Sequence, residues 1–409
     1  MDLEIKINSD GGITSPKGFK ANGVHCGIRK NKDKKDLMLI VADKECDSAA
    51  IYTKNLVCGA PITVTRKNLA NGKARAVICN SGIANTCNAD GLEKAQAMCD
   101  LAAEYAGISA SDVIVASTGV IGQPIDLEPI KNGMEELHKG LSPNGSDDAA
   151  QAIMTTDTVQ KNVSVSFKLH GKVCTIGAIA KGSGMIHPNM ATMLIFITTD
   201  ANISADMLKK ALVWSSDKTY NMLSVDGDTS TNDTVAIMAS GLCENVRIET
   251  ENDDFILFKE ALLKVCEIIV KKLAKDGEGA TKLVVCNVVG AGNEETAKIC
   301  AKSVIRSPLV KTAMFGSDAN WGRILCALGY AGADIDVSKI DVSFTSQKGS
   351  ISVCENGAGI EFSEEKAKEI LSQDEIAVNV DLKSGAFSAE AYGCDLTYDY
   401  VKINGDYRT

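Results

Sequence analysis

Short apolar runs and period-two alternation dominate the first half of the chain. The segments "LMLIVAD" (37–43), "ITVTRK" (62–67), "ARAVICN" (74–80), "DVIVAST" (112–118), "VSVSFKL" (163–169) and "VCTIGAIA" (173–180) read as strands. Helical periodicity appears between them, near 91–106 and 127–154. The pattern continues with a helix over "SADMLKKALVWSSDKTY" (204–220), a strand at "DTVAIMAS" (233–240) and a long amphipathic helix from about 255 to 275. The last third is richer in strands: "KLVVCNVV" (282–289), "IDVSFTS" (340–346), "GSISVCE" (349–355), "IAVNVDL" (376–382), "FSAEAYG" (387–393) and "TYDYVKI" (397–403). It also holds a helix near 293–305 and the apolar stretch "GRILCALGYAG". A mixed α/β chain follows, with a domain boundary near 285 and no internal repeat.

One segment breaks the pattern. "KGSGMIHPNMATML" (181–194) holds Gly182, Gly184 and Pro188 directly before "TMLIFITTD" (192–200), a continuous apolar run suited to a strand buried on both faces. Glycine permits backbone geometries that other residues avoid, and proline fixes its own φ and removes a donor, so a tight turn is expected there. Thr192 therefore stands where an irregular loop enters a core strand. On pattern alone it is the first residue of that strand.

Composition changes the picture little. At 409 residues, 45% hydrophobic and 23% charged, the chain has room for two or three domains with ordinary cores. A net charge of −10 argues against a nucleic-acid binder, and the one dense basic run, "RKNKDKKD" (29–36), reads as a solvated loop. The 14 cysteines are scattered through apparent strands and helices without a CxxC pair, as small buried hydrophobes are. An N-terminus without signal-peptide pattern adds to the expectation of a reducing cytoplasm, and no apolar stretch is long enough to cross a bilayer. His25, His138, His170 and His187 form no ligand spacing with one another or with a cysteine, so no metal site is expected.

Familiar catalytic motifs fail. "VVGAGNEE" follows a strand and opens a helix, but Glu295 occupies the place of the third glycine of a dinucleotide turn, leaving a plain strand-to-helix turn. Neither GxxxxGK[ST] nor GxSxG occurs. With so few histidines, a nucleophile must find another base. A threonine freed by cleavage of the bond before it carries one, since its α-amino group titrates near about 7.7–8.0, beside its own hydroxyl. Cleavage between Ala191 and Thr192 would create that arrangement.

The segment "KGSGMIHPNMATML", together with "ASTGVIG" (116–122), "SVDGDTSTND" (224–233), "DGEGATK" (276–282), "GSDANWGRI" (316–324) and the ending "YVKINGDYRT", resembles the ornithine acetyltransferase family of arginine biosynthesis over the full length and in order. The resemblance implies a layered α/β sandwich of the self-cleaving type with a smaller C-terminal α+β domain. It implies a precursor that cuts itself before Thr192, giving an alpha chain 1–191 and a beta chain 192–409 that stay associated, two of each. Residues 192–285 would complete the catalytic domain, and 286–409 would form the smaller one.

The same resemblance carries roles to matching residues. Thr192 would be the nucleophile, and Thr118 and Gly119 the oxyanion donors. Lys181 would bind a substrate carboxylate and hold the new amine unprotonated. Thr155, Glu278, Asn404 and Thr409 would be substrate contacts, Glu278 facing an ammonium group. The implied reaction passes acetyl from N2-acetylornithine to glutamate by a ping-pong route without a cofactor, and some members also accept acetyl-CoA as donor. Two alternatives share parts of these features. A self-cleaving N-terminal-threonine aminopeptidase or amidase would pass its acyl group to water, and a non-catalytic small-molecule binder would remain one chain.

Overall fold

A computed structural model of the chain describes residues 4–8, 10–187 and 193–406. Ala191, Thr192 and Thr409 lie outside them. In chain order the strands of the first sheet are β1 (Lys6–Asn8), β2 (Phe19–Val24), β3 (Leu37–Tyr52), β4 (Lys73–Ile83), β5 (Val113–Val120), β6 (Lys161–Leu169), β7 (Lys172–Lys181) and β8 (Leu194–Thr199). The short β9 (Leu223–Ser224) departs to the second sheet, and β10 (Thr234–Ala239) returns to the first. The spatial order is β1-β6-β7-β8-β10-β3-β4-β5, with β2 added against β3. β8 thus lies between β7, antiparallel to it, and β10, parallel to it.

The continuous apolar run of β8 has the consequence expected of a doubly covered strand. Ile195 and Ile197 face a core shared with helices Ala205–Lys218 and Asp253–Lys275, whereas Leu194 and Phe196 face another, shared with helix Ser146–Ile153. Helix Asp253–Lys275 starts where the Asn252 side chain accepts the Phe255 N–H at 2.9 Å. It buries Phe258, Leu262, Val265, Ile269 and Leu273 at helical spacing, packing on β6 and β7 and also on β11 (Leu283–Ala291) and β16 (Phe387–Cys394) of the second sheet.

That second sheet is completed by β12 (Asp341–Ser346), β13 (Gly349–Glu355), β14 (Ala358–Gly359), β15 (Glu375–Asp381) and β16 (Phe387–Cys394), in the order β14-β13-β12-β15-β11-β16-β9. One hydrophobic core runs through residues of both sheets. At the end of β11, Asn293 caps helix Glu294–Arg306 by accepting the Thr296 N–H, the plain strand-to-helix turn expected of "VVGAGNEE".

Three expected elements differ. "ITVTRK" lies in a helix, Ala60–Asn68, that begins with Pro61 near its N-terminus and ends with Arg66 and Lys67 in its last turn. The helical region 127–154 is two helices, Leu127–Lys139 and Ser146–Ile153, because Gly140, Pro143 and Gly145 interrupt it. "TYDYVKI" is also helical, Tyr398–Gly405, and buries none of its residues. The unassigned "GRILCALG" belongs to helix Trp321–Gly329. Among the described residues, no helix is long and apolar enough to cross a membrane.

Candidate active site

The site lies where the ends of β5 and β7 and the start of β8 meet the neighbouring loops. β5 runs parallel to β4 until Thr118 and Gly119, where the register breaks opposite Gly82. Gly119 has φ of +132°, and a Cβ there would fall 2.2 Å from the carbonyl carbon of Gly82. Only glycine permits that approach, and the backbone is turned out of the ladder immediately after Thr118. Asn232, just before β10, holds this end in place. Its amide donates to the carbonyls of Ser117 (2.9 Å) and Ala84 (2.6 Å), while its oxygen accepts from Thr86 (2.6 Å) and Thr231 (2.5 Å).

Lys181 ends β7 and pairs with Leu194 at the start of β8. Its Nζ donates to Thr118 Oγ1 at 3.2 Å. A hydroxyl that accepts from an ammonium keeps its own proton for donation elsewhere. Burial lowers the Lys181 pKa from the ordinary lysine value, while Asp157 and Asp233 oppose the fall and Lys161 reinforces it.

Behind Lys181 is a buried ionic cluster. Lys161, with no exposure, reaches Asp157 at 2.6 Å and Asp276 at 2.5 Å. Burial alone would raise the Asp157 carboxyl, but the charges of Lys161 and Lys181 with hydrogen bonds from Lys161 and the Thr155 N–H hold it far below the usual carboxylate range. Asp157 also accepts the Gly182 N–H at 2.7 Å. Asp276, past the C-terminus of helix Asp253–Lys275, accepts the Thr158 N–H and hydroxyl, and its carbonyl accepts the Ser183 hydroxyl at 2.7 Å. The cluster thereby ties the 155–158 loop, the 182–184 loop and this helix end together.

Glu278 follows at once. It is buried, and its Oε2 accepts the Asn404 amide at 2.7 Å, which brings helix Tyr398–Gly405 over the cleft. Gly184 lies so close that a Cβ would fall 2.3 Å from the Glu278 carboxylate. Thr118, Gly119, Thr155, Lys181, Gly184, Ser230, Glu278 and Asn404 all line one cleft of about 310 Å³. Every described residue singled out from the sequence is therefore in one place. Thr192 and Thr409 lie outside the described residues.

The loop preceding the expected cleavage point is clamped from both sides. Met185 adopts φ of +55°, a conformation costing a non-glycine residue about 1–3 kcal/mol. Asp226 holds it there, accepting the N–H groups of Met185 (2.6 Å) and Ile186 (2.9 Å). The imidazole of His187 sits 3.1 Å from the Ser224 hydroxyl; burial, with Lys302 and Arg306 nearby, lowers its pKa to about 4. On the far side, the Met193 carbonyl accepts the Thr234 N–H at 2.9 Å.

Sequence reasoning missed Asp157, Lys161, Asp276, Asn232 and Asp233. The last is buried, its pKa raised well above the carboxylate range by desolvation, and its Oδ2 has no hydrogen-bond partner among the described residues. Asn232, Asp233 and Asp276 stand inside the motifs "SVDGDTSTND" and "DGEGATK", which mark their segments but not their contacts, and Asp157 and Lys161 carry no such mark.

The model of the ArgJ family matches residues 20–409. The arginine biosynthesis bifunctional protein ArgJ of Caldanaerobacter subterraneus subsp. tengcongensis is 50% identical over 401 residues, covering 98% of this chain and 99% of that protein. Its Bacillus subtilis counterpart is 47% identical over 410 residues, covering 100% and 98%. Among solved structures, arginine biosynthesis bifunctional protein ArgJ from Bacillus halodurans is 46% identical with a TM-score of 0.50, covering 52% of this chain and 98% of that one.

Proposed function

The chain belongs to the ArgJ family, and from that premise we propose that Thr192 carries an acetyl group from one amino acid to another within the cleft described above. The protein is an acyltransferase of arginine biosynthesis, and family membership favours transfer over the hydrolase and the plain binding protein. The donor is N2-acetylornithine and the acceptor glutamate, with acetyl-CoA a second donor. The cycle uses no cofactor.

The precursor cuts itself when the Thr192 hydroxyl attacks the Ala191 carbonyl in an N-to-O acyl shift, and water then releases residues 1–191. The new α-amino group of Thr192 serves as base for its own hydroxyl. In transfer, the hydroxyl attacks the acetyl carbonyl, and Thr118 Oγ1 and the Gly119 N–H receive the oxyanion of the tetrahedral intermediate. Ornithine leaves, and glutamate repeats the attack on acetyl-Thr192 in reverse. Lys181 binds a substrate carboxylate and, as a neighbouring cation, disfavours protonation of the amine. Glu278 takes the substrate ammonium, with Asn404, Thr155 and Thr409 around it. The mature protein has two of each chain in the cytoplasm, with 192–285 completing the catalytic domain and 286–409 the smaller one.

The observation that carries this reading is the convergence of Thr118, Gly119, Thr155, Lys181, Glu278 and Asn404 on one cleft, at the end of the strand whose Lys181 pairs with Leu194. A relative solved as a chain about half this length, beside full-length curated relatives, supports the cut.

Denaturing mass spectrometry should find two polypeptides divided between Ala191 and Thr192, and one 43.2 kDa chain without transfer activity in Thr192→Ala. N-acetylornithine alone should release a burst of ornithine and leave one acetyl on the C-terminal chain, discharged by glutamate. A fully active protein that stays intact, or intersecting rather than parallel double-reciprocal lines with no acetylated chain, would overturn the proposal.

A further inference from the structure

We propose that Cys174, Cys243 and Asp200 form a site for one thiophilic divalent cation of the zinc class, at the opposite end of β7 from Lys181. The three residues are 26 and 43 positions apart in sequence, so no ligand motif marks them. The sheet assembles them. Cys174 is near the start of β7, Asp200 directly follows β8, and Cys243 follows β10, the next strand in the sheet. Seven residues of strand, roughly 23 Å at about 3.3 Å per residue, separate Cys174 from Lys181. This is not the catalytic cleft.

The two Sγ atoms and a carboxylate oxygen of Asp200 lie within 4.8 Å of one another. Three atoms so placed share a central point no more than about 2.8 Å from each, against ~2.3 Å for a zinc–thiolate bond and ~2.0–2.2 Å for a zinc–carboxylate bond. Shifts of at most about 0.5–0.8 Å would close the difference.

The carboxylate is also fixed in aim. Asp200 Oδ1 accepts the Thr175 N–H at 2.8 Å and Oδ2 the Lys17 N–H at 3.2 Å. A carboxylate has about four lone-pair positions, so two remain for a ligand. The Cys243 N–H donates to the Asp200 carbonyl at 2.7 Å, which ties the second thiol's backbone to the same residue.

The three groups are held in apolar surroundings. All three residues are buried, and burial raises both thiols and the Asp200 carboxyl in pKa. The two thiols interact with each other, and Cys174 also reaches Asn245 Oδ1 at 3.8 Å and Cys243 the Val173 carbonyl at 3.4 Å, all weak sulfur contacts. Lys17 is the cation acting on Asp200 and Cys243. A divalent cation reverses this position, since a coordinated thiol is deprotonated outright. Binding would form two metal–sulfur bonds and one metal–oxygen bond and release both thiol protons to solvent. Two thiolates and one carboxylate leave a net charge of −1 around the ion, beside Lys17.

The test uses the mature protein, reduced and freed of metal with a chelator, and cobalt(II) as probe. One equivalent should bind and produce a thiolate-to-cobalt charge-transfer absorption that zinc abolishes by displacement. Cys174→Ser and Cys243→Ser should each lose that absorption and weaken zinc binding by about a hundredfold or more. Cys87→Ser, at an exposed thiol, should leave both unchanged. Retained acetyl transfer would confirm that the variants are folded. No absorption in the wild-type protein, or equal absorption in either buried-thiol variant, would overturn the proposal. If those variants do not accumulate, anomalous diffraction from zinc-loaded wild-type crystals decides. An ion between the Sγ atoms of Cys174 and Cys243 supports the site; an ion elsewhere, or none, refutes it.

Discussion

Thr118 accepts a hydrogen bond from Lys181, which leaves its own proton free for the oxyanion that the proposed mechanism assigns to it. An oxyanion donor acts mainly in the transition state, and losing one commonly costs about 2.7–4 kcal/mol. Thr118→Ala should therefore lower kcat by about 10²–10³-fold with little change in KM, measured as steady-state acetyl transfer to glutamate. A rise in KM alone would reassign Thr118 to ground-state binding. Gly184 presents a different constraint, of space. Alanine there would push its Cβ into the Glu278 carboxylate, the movable end of a side chain, so the fold should survive while the proposed ammonium site shifts. We expect KM for both amino-acid substrates to rise about tenfold in Gly184→Ala, with a thermal midpoint near that of the parent. An unchanged KM would separate Glu278 from substrate binding.

At the scale of elements, the buried Lys161 joins β6 to the 155–158 loop and to the end of helix Asp253–Lys275 through two carboxylates. Removing one partner of a buried ion pair leaves charge uncompensated and costs about 3–5 kcal/mol. Because Lys161 keeps Asp276, Asp157→Asn should cost about 3 kcal/mol, near the lower end of that range, read from urea unfolding of the uncut Thr192→Ala precursor. A change below about 0.5 kcal/mol would show that the cluster is not a structural joint.

None of that joint was legible beforehand. Asp157, Lys161 and Asp276 meet across more than a hundred residues of sequence, and nothing local marks a carboxylate that will be buried. β8 was legible, because a strand covered on both faces must be apolar throughout. Helix Ala60–Asn68 was misread for a physical reason. Its β-branched residues mimic a strand, and its buried Thr65 counts as polar in any pattern, although its hydroxyl donates to the Val115 carbonyl and accepts the Val115 N–H. Helix Tyr398–Gly405 buries nothing, so it had no apolar face to reveal its period. Thr118, Lys181 and Glu278 were found through the resemblance of whole motifs, since each taken singly is an ordinary turn or surface residue.

For the molecule as a whole, His187 links acidity to stability. Its pKa is 6.5 ordinarily and about 4 in the fold, so the unfolded chain binds a proton first as pH falls. The contribution of the neutral ring is complete above about pH 6.5 and is lost progressively down to about pH 4. It amounts to at most about 3 kcal/mol, and less because the ring is partly exposed. His187→Gln should lose less stability than the parent between pH 7 and pH 4.5 in parallel urea titrations; equal losses would remove His187 as the source.

The place of β8 and β10 in the first sheet has a consequence for the life history of the protein. These two strands come from the C-terminal side of the proposed cut, yet N-terminal strands flank them on both sides, β7 on one and β3 on the other. Once the bond before Thr192 is gone, the pieces are interleaved like two hands with locked fingers, and separating them means opening two ladders of backbone hydrogen bonds. On the proposed cut, the interleaving would form while the ends were still tethered, and two free pieces would have to find it again by collision. Folding would be a one-time event for each molecule. After denaturation and dilution, the uncut Thr192→Ala chain should regain its fold at a rate independent of protein concentration, whereas the cut protein should recover more slowly as it is diluted. Intact cut protein mixed with an isotope-labelled copy should exchange no chains; free exchange would mean that the seams open readily.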